Sequence, residues 1–295
     1  MTVLIDATTS IMVQGATGNA GAYHIGEMLT IGTRVVAGAD TGKDGETVHG
    51  VPVHGSVAAA CDALGTVPDA TLIFQPAHRA AASANEALDA RIPLIILVAE
   101  GVPLHDTLRL VQRARDLGVR LVGPNTPGLL SPGKAKAGLM PMRAFSQGTV
   151  GMVSRSGTLS YETAMELTKR GIGQSTFVGV GGDPARGTSM AEAVGLLNDD
   201  PDTNVIVVIG EIGGNQEETA AAYIRAQGRK PVVAMIAGRA ARPGRRMGHA
   251  GALVSGGVGA FADKVAALQD AGIAVADSPA DAARRVAAIL QDGNR

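Results

Sequence analysis

The sequence predicts an α/β protein built from two doubly wound domains, each with a parallel sheet covered by helices. Three observations support this: short runs that are apolar at every position, helical patterns between them, and a restart of the alternation after a Gly/Pro-rich segment at 123–128. Strands that are apolar throughout are buried on both faces, as in parallel sheets. A chain of 295 residues that is 45% hydrophobic can bury two such cores.

In the first half, apolar runs alternate with helical patterns, two of which are stopped by Gly32 and Gly118. Strands are predicted at 11–13, 34–37, 70–74, 94–98 and 121–122. Helices are predicted at 20–31, 57–64, 80–90 and 104–117. The order strand, helix, strand predicts a parallel sheet.

The alternation restarts after residue 123 and the Pro- and Gly-bearing stretch that runs to Gly148. Strands are predicted there at 149–153, 176–180, 205–209, 232–237 and 273–276. Helices are predicted at 159–169, 190–197, 217–226, 262–271 and 280–290. We therefore expect a first domain at 1–123 and a second at 124–295.

Composition excludes several classes of partner. The net charge is −1 and the positive residues are scattered, so we expect no nucleic-acid partner. The single cysteine, Cys61, fits a reducing compartment and lies in an Ala-rich helical pattern, where a small core residue is expected. No secretory signal and no bilayer-spanning run is visible, so we expect a cytoplasmic protein without a membrane partner.

The segment 244–252 places His249 in a loop of small residues. Four arginines lead into it: Arg239, Arg242, Arg245 and Arg246. Guanidinium groups suit phosphate oxygens, and imidazole is a nucleophile that can carry a group between two partners. The loop therefore suits a covalent carrier of phosphate, although a surface turn with an inert histidine has the same sequence pattern.

A glycine-rich turn at 15–21 follows the first predicted strand and opens the first helix. Amides at a helix start can hold a pyrophosphate, but the spacing is G-x-x-G-x-x-G and not the dinucleotide fingerprint. Asp40 could mimic the acid that holds an NAD ribose. Lys43 could meet the additional phosphate that CoA has and NAD lacks. Spacing alone leaves NAD, CoA and a purely structural turn open.

Two further features lie where strands end. The segment 154–162 follows a strand and starts a helix, so its Ser and Thr residues predict either an ordinary N-cap or an anion site. Glu211 stands at the carboxyl end of the buried run 205–209, the edge at which ligands bind in open α/β sheets. No histidine has defensible metal-ligand spacing, and no metal site is predicted.

These segments resemble the alpha subunit of succinyl-CoA synthetase, and the resemblance runs along almost the whole chain. It implies a Rossmann-like CoA-binding domain at 1–123 and a flavodoxin-like ligase domain at 124–295 that carries the phosphohistidine loop. The implied catalytic residues are His249 and Glu211, which hydrogen-bonds the histidine. The implied CoA residues are Thr17, Gly18, Asn19, Ala20, Lys43, Val98, Ala99 and Glu100. The implied phosphate residues are Ser154, Ser156, Gly157 and Thr158, and Tyr161 is the implied substrate residue.

The resemblance also implies a reaction and a partner. A dicarboxylic acid, CoA and ATP or GTP would be joined reversibly through a phosphohistidine, in the tricarboxylic acid cycle. The nucleotide and Mg²⁺ would bind an ATP-grasp beta subunit, without which the chain should not turn over. Succinate ranks first as the acid, with malate and citrate as alternatives. Other classes are a non-catalytic CoA-binding module and an NAD-dependent oxidoreductase.

The chain departs from the family pattern at several points. Pro76–Arg79 lacks the usual Pro-Ala-Pro-Phe, Val98 and Ala99 replace Ile-Thr or Thr-Thr, and Thr126 stands where the family has cysteine. The segment 140–145 replaces Pro-Gly-His-Ile. These departures indicate a diverged member of the family.

Overall fold

The computed structural model describes residues 3–241, 244, 246–254 and 257–292. The chain divides into two compact units. The first comprises Leu4–Leu139 and Ala185–Thr188, and the second comprises the described residues of Met140–Pro184 and of the stretch from Ser189 onward. Each unit contains a mainly parallel sheet, and each is built below from its own elements.

The first unit has a sheet whose strands are parallel except for a short one at its edge. The strands are β1 (Ile11–Gln14), β2 (Val35–Ala39), β3 (Thr47–Val48), β4 (Val51–His54), β5 (Ala70–Ile73), β6 (Leu94–Leu97) and β7 (Arg120–Val122). They stand in the order β3-β4-β2-β1-β5-β6-β7. The parallel strands alone follow the order 3-2-1-4-5-6, which is that of the Rossmann fold. The predicted Rossmann-like domain is confirmed.

Four helices cover this sheet: α1 (Asn19–Thr30), α2 (Val57–Leu64), α3 (Ala77–Asp89) and α4 (Leu104–Asp116). Their buried residues recur at helical spacing; on α3 these are Ala80, Ala84, Ala87 and Leu88. Ser56 caps α2 because its side chain accepts a hydrogen bond from the amide of Ala59. Small alanines therefore let α3 lie close against the sheet.

A hairpin that the sequence did not predict follows β7. It consists of the antiparallel strands β8 (Gly128–Ser131) and β9 (Ala135–Gly138). Lys136 lies in β9 with 1% of its side chain exposed, 3.9 Å from the carboxylate of Glu27 on α1. The amide of Lys136 donates to the hydroxyl of Thr33. The glycines, prolines and lysines of this stretch are unusual inside a strand, so its sequence does not indicate the hairpin.

The second unit contains five parallel strands that end near one another at a single edge. They are β10 (Gln147–Ser154), β11 (Gln174–Gly179), β12 (Val205–Glu211), β13 (Val232–Ala237) and β14 (Ala274–Ala276). Their order is β14-β13-β12-β10-β11. Counted along the chain this is 2-1-3-4-5 read from β11, the flavodoxin-like order. The predicted fold of this domain is confirmed.

Five helices connect these strands: α5 (Gly157–Thr168), α6 (Met190–Asp199), α7 (Gln216–Gln227), α8 (Phe261–Asp270) and α9 (Pro279–Asp292). A 3-10 turn at Met142–Ala144 precedes β10. A capping box starts α6, in which Ser189 and Glu192 each bond the other's backbone amide. Ser156 caps α5 through the amide of Leu159.

Every predicted strand and helix is present, and the bounds differ by at most three residues. The agreement follows from the uninterrupted apolar runs, because all residues of β1, β5, β6, β11 and β12 are buried. Among the described residues, no helix is both long enough and apolar enough to cross a membrane.

Gly21 is the position at which a side chain would separate α1 from the preceding turn. A Cβ there would lie 2.1 Å from the carbonyl oxygen of Gly15, which is backbone and cannot swing aside. We expect Gly21→Ala to lower the free energy of unfolding by about 1–3 kcal/mol, the usual cost of overpacking. Urea unfolding measures it.

Gly18→Ala is the matched control for that substitution. A Cβ at Gly18 would lie 3.4 Å from the same carbonyl oxygen, an ordinary contact. Equal losses of stability in the two variants would contradict the conclusion that Gly21 is needed for α1 to pack closely on the turn.

Candidate active site

The candidate site lies at the carboxyl edge of the second sheet, where the strand order reverses. Neighbouring strands β10 and β12 pair in register up to Ser154 and Ile209, and β12 ends at Glu211. β11, the next strand of the chain, lies on one side of β10, and β12 to β14 lie on its other side. Such a topological switch point is where ligands bind in doubly wound sheets.

The loop that carries His249 is held by short backbone hydrogen bonds. The amide of Ala252 donates to the carbonyl of His249 at 3.1 Å, and the amide of Met247 donates to the carbonyl of Ala252 at 2.9 Å. The amide of Gly251 donates to the carbonyl of Gly182 at 3.0 Å. These bonds join the loop to the segment after β11 and fix where the histidine enters the site.

Gly182 leaves room for the imidazole. A Cβ at this position would lie 2.4 Å from Cγ of His249 and 2.5 Å from its Nδ1. The ring therefore rests against the backbone of Gly182, and any larger residue would displace it. The turn that contains Gly182 therefore forms one wall of the histidine site.

The predicted pair of His249 and Glu211 is in direct contact. Nδ1 of His249 lies 2.8 Å from Oε2 of Glu211. The imidazole is 28% exposed and the carboxylate is 7% exposed, so the bond is shielded on one side and open on the other. Because a carboxylate oxygen accepts, the bond places the ring proton on Nδ1 and the lone pair on Nε2. Nε2 is therefore the more basic of the two ring nitrogens.

Arg155 lies behind the carboxylate of Glu211. Its Nη2 is 3.1 Å from Oε1 of Glu211, and only 1% of its side chain is exposed. Sequence reasoning did not select Arg155. The signal available was a cation between two serines at a strand-to-helix turn, but nothing in the pattern indicated that it would be buried.

The predicted phosphate residues surround the start of α5. Ser154 accepts from the amide of Ser156 at 3.0 Å and donates to its carbonyl at 2.8 Å, and Ser156 caps the helix. Gly157 begins the helix, and Thr158 is exposed. The hydroxyl of Ser154 thus already donates its proton, whereas Ser156 only accepts, so the helix amides and the hydroxyl of Ser156 are the groups that could hold an anion.

Tyr161 lies on α5 one turn further on. Its ring meets Phe145 edge-on, with the centroids 6.3 Å apart. Burial raises the pKa of Tyr161 to about 12, so its hydroxyl stays protonated at neutral pH. A protonated phenol can donate a hydrogen bond to a carboxylate.

The four arginines before the loop do not form one described cluster. Arg239 pairs with Asp277 and stacks over the ring of Phe261, 5.2 Å from its centroid. Arg246 is exposed. Arg242 and Arg245 lie outside the described residues. The guanidinium of Arg239 is therefore already committed to a carboxylate and an aromatic ring.

In the first unit, the predicted CoA residues gather at the carboxyl edge of their sheet. Thr17 to Ala20 follow β1 and open α1, Lys43 follows β2, and Val98 to Glu100 follow β6. Gly18, Asn19 and Ala20 are exposed, so amides at the helix start are accessible to an anion. Lys43 is half-exposed and pairs with Glu46.

Asp40 lies beside the glycine-rich turn at 15–21. Its Oδ2 accepts from the hydroxyl of Thr17 at 2.5 Å and from the amide of Thr17 at 3.3 Å. Oδ1 accepts from the side-chain amide of Gln75 at 3.4 Å. The carboxylate thus bonds protein donors through both oxygens, and the hydroxyl of Thr17 already donates its proton.

His24, which follows the glycine turn, packs within the first unit. Its ring stacks on Phe74 with the centroids 5.4 Å apart. Burial, with a smaller contribution from the charge of Lys136, lowers the pKa of His24 to about 4. Over the described part of the chain, no group of three or more His, Cys, Asp or Glu residues could hold a metal ion.

Comparison with known proteins assigns both units. A family model described as a CoA binding domain matches residues 6–101, and one described as CoA-ligase matches residues 153–274. Succinate–CoA ligase [ADP-forming] subunit alpha 2 of Archaeoglobus fulgidus is 48% identical over 290 residues, covering 98% of this chain and 100% of the relative. The chain belongs to the succinate–CoA ligase alpha-subunit family. The predicted family and its CoA-ligase class are confirmed.

Further relatives and one solved structure agree with this assignment. The succinate–CoA ligase [ADP-forming] alpha subunit of Aquifex aeolicus is 46% identical over 293 residues, covering 99% of this chain and 95% of the relative. ATP citrate lyase from Methanothrix soehngenii, solved in complex with citrate and coenzyme A, superposes with a TM-score of 0.87 at 25% identity. That match covers 99% of this chain but 52% of the citrate lyase chain, so this succinate–CoA ligase homologue spans about half its length.

Substitution of Gly182 tests how the imidazole is seated. We expect Gly182→Ala to displace the ring of His249, because the new methyl group would overlap Cγ and Nδ1. In ¹⁵N-histidine spectra of the full chain, the signal of a hydrogen-bonded Nδ1–H should be lost, while thermal unfolding stays close to wild type because the ring can turn outward.

Gly195→Ala provides the matched control, because its Cβ would meet the phenol group of Tyr223, with the hydroxyl at 3.1 Å and Cζ at 3.3 Å, and not His249. An unchanged Nδ1–H signal in Gly182→Ala would contradict the seating described here.

Proposed function

We propose that this chain is the alpha subunit of a ligase that joins a dicarboxylic acid to CoA at the expense of a nucleoside triphosphate, with His249 as the transient phosphoryl carrier. The observation that carries the proposal is the bond between Nδ1 of His249 and the buried carboxylate of Glu211, at the switch point of the ligase domain. A module that only bound CoA would need neither residue.

The first step places phosphate on the histidine. The lone pair of Nε2 attacks the terminal phosphorus of the nucleotide, an N–P bond forms, and the P–O bond to the nucleoside diphosphate breaks. Nδ1–H stays bonded to Glu211, whose negative charge stabilises the positively polarised ring. The amides at the start of α5 favour negative charge on the phosphoryl oxygens.

Two further transfers complete the reaction. An oxygen of the acid attacks phosphorus, the N–P bond breaks, its electron pair returns to Nε2, and an acyl phosphate results. The thiolate sulfur of CoA, after loss of the thiol proton to solvent, attacks the acyl carbon, and inorganic phosphate leaves. Each intermediate retains the energy of the nucleotide in a covalent bond. In the acyl-phosphate step, the protonated hydroxyl of Tyr161 would orient the acid.

CoA would bind the first domain, proposed at 1–123. Its diphosphate would meet the amides of Gly18 to Ala20, because the amide and hydroxyl of Thr17 already donate to Asp40. Lys43 would approach the nucleotide end, and Val98 to Glu100 would line the neighbouring wall. These contacts favour CoA over NAD, whose ribose would need an acid that Thr17 and Gln75 already engage.

The partner would be an ATP-grasp beta subunit that binds ATP or GTP with Mg²⁺ and works with this chain in the cytoplasm. Support comes from the relatives, which are named as alpha subunits, and from the sequence, which contains no Gly-x-x-x-x-Gly-Lys-Ser/Thr run. Succinate is the proposed acid, after the names of the same relatives. Citrate and malate are the alternatives, citrate being a ligand of the structurally similar citrate lyase.

Labelling of the histidine tests the phosphoryl carrier. The chain is incubated with its beta partner and γ-labelled ATP, and acid-labile, base-stable label is followed. We expect wild type to be labelled at His249, His249→Asn to take up no label, and Glu211→Gln to be labelled about 100-fold more slowly, because the ring loses its oriented acceptor.

His105→Asn is the matched control, because His105 is an exposed histidine on α4. It should be labelled at the wild-type rate. Equal labelling of His249→Asn and wild type would overturn the proposal.

A further inference from the structure

Three charged side chains beneath the histidine site are almost completely removed from solvent. Arg155 is 1% exposed, and Glu217 on α7 and Lys264 on α8 are each 0% exposed. Charged residues are almost never fully buried unless they are paired. Here they form one connected network with Glu211 and Glu218, which contains three carboxylates and two cations.

Arg155 contacts two backbone segments of the site, the end of β12 with its following turn and the histidine loop. Its Nη1 donates to the carbonyls of Glu211 at 3.2 Å and Gly213 at 3.0 Å. Its Nη2 donates to the carbonyl of Gly251 at 3.3 Å, two residues beyond His249. The same guanidinium therefore ties the end of β12 to the histidine loop.

The two carboxylates that flank Arg155 differ in their other contacts. Oε1 of Glu211 lies 3.1 Å from Nη2, and Oε2 contacts Nδ1 of the His249 imidazole. Oε1 of Glu217 accepts from Nη1 at 3.1 Å and from the amide of Glu211 at 3.0 Å. Arg155 thus holds the side chain of Glu211 as a buried ion pair, without a hydrogen bond to Oε1, and Glu217 fixes the backbone of Glu211.

Lys264 completes the network from the opposite side. Its Nζ donates to Oε2 of Glu217 at 2.6 Å, to Glu218 at 2.8 Å and to the carbonyl of Gly214 at 2.9 Å. Burial raises the pKa of Glu217, but the charges of Arg155 and Lys264 and its hydrogen bonds outweigh burial and leave the pKa below its usual value. Glu217 is therefore ionised and anchors the guanidinium.

Stability alone does not account for these groups. Well-packed apolar residues of similar volume commonly stabilise a protein as well as, or better than, a buried ion pair. The network contacts both residues that the proposed reaction needs, His249 through its loop and Glu211 through its side chain. A role in orienting that pair accounts for the cost of burying charge here.

We propose that Arg155 is a positioning residue for phosphoryl transfer at His249, with Glu217 and Lys264 as its anchor; this inference rests on the proposed function. Arg155 pairs with Oε1 of Glu211, and Oε2 therefore stays directed at Nδ1 of His249. The imidazole is thereby held as the Nδ1–H tautomer with the lone pair on Nε2, and the loop is held at Gly251. Without the guanidinium, the carboxylate turns away and the ring shifts toward the Nε2–H form, which is not nucleophilic at Nε2.

Two measurements on Arg155→Met test the assignment. In ¹⁵N-histidine spectra of the full chain, wild-type His249 should be mainly the Nδ1–H tautomer, and the variant should shift toward Nε2–H. In the complex with the beta partner, labelling from γ-labelled ATP should slow by about 10- to 100-fold, the range seen when outer-shell partners of a functional histidine are removed. Arg155→Lys keeps the positive charge but not the planar guanidinium. Its tautomer ratio and its labelling rate should therefore lie between those of wild type and Arg155→Met.

Arg229→Met is the matched control, because Arg229 forms an exposed ion pair with Asp199. It should leave both readouts at wild-type values. If Arg155→Met does not fold, Arg155→Lys takes its place, with labelling expected to be about 10-fold slower and the Nδ1–H signal expected to be weaker.

Wild-type tautomer and labelling rate in the folded Arg155 variant would overturn the positioning role. A wild-type tautomer with slowed labelling would also overturn it, since orientation of the ring is the claim. The proposed function fails separately, if wild-type His249 takes up no label; the tautomer readout then still decides whether Arg155 orients the ring.

Discussion

The ligase domain is organised around one hydrogen bond, between Nδ1 of His249 and Oε2 of Glu211. It requires a carboxylate at the end of a buried strand, a loop that returns to that strand, and an empty volume for the ring. β12 supplies the first, the bonded turn from Met247 to Ala252 supplies the second, and Gly182 supplies the third. Each of these features would be unnecessary in a fold that only bound a ligand through its amides.

The bond acts through what it does to the opposite side of the ring. A carboxylate that accepts from Nδ1–H makes Nε2 the basic nitrogen. In the proposed reaction the same carboxylate would stabilise the ring while Nε2 carries phosphate. Burial strengthens this effect because the carboxylate is 7% exposed and little water competes for it. The partial exposure of the imidazole, at 28%, leaves a route for groups carried by other molecules.

The buried carboxylate of Glu211 needs a buried positive charge beside it, which Arg155 supplies. Loss of that charge would destabilise the fold. Removing one member of a buried ion pair typically costs about 3–5 kcal/mol, because the remaining charge is uncompensated. The pKa of Glu217 is lower in the folded chain than its ordinary 4.5. Its contribution to stability is therefore complete above the unfolded-state pKa and is lost as pH falls through the lower folded value. At neutral pH the network is intact.

The fold could be predicted from the sequence because its strands are uninterrupted apolar runs, a local signal. The hairpin β8–β9 could not, since the stretch around Lys136, with Gly133 and Gly138, has no strand pattern, and Lys136 is placed by contacts with α1 and Thr33. Residue type and strand-end position mark His249 and Glu211 separately as candidates, and only the resemblance to the family implies that they pair. The burial of Arg155 and the commitment of Arg239 to Asp277 could not, because both depend on residues distant in sequence.

The position of phosphorus in the phosphorylated complex tests the central claim most directly. A crystal structure of the chain with its beta partner, trapped after phosphorylation, would locate it. The account predicts phosphorus bonded to Nε2 of His249, with Oε2 of Glu211 still within hydrogen-bond distance of Nδ1. Phosphorus on Nδ1, or on a residue other than His249, would contradict it.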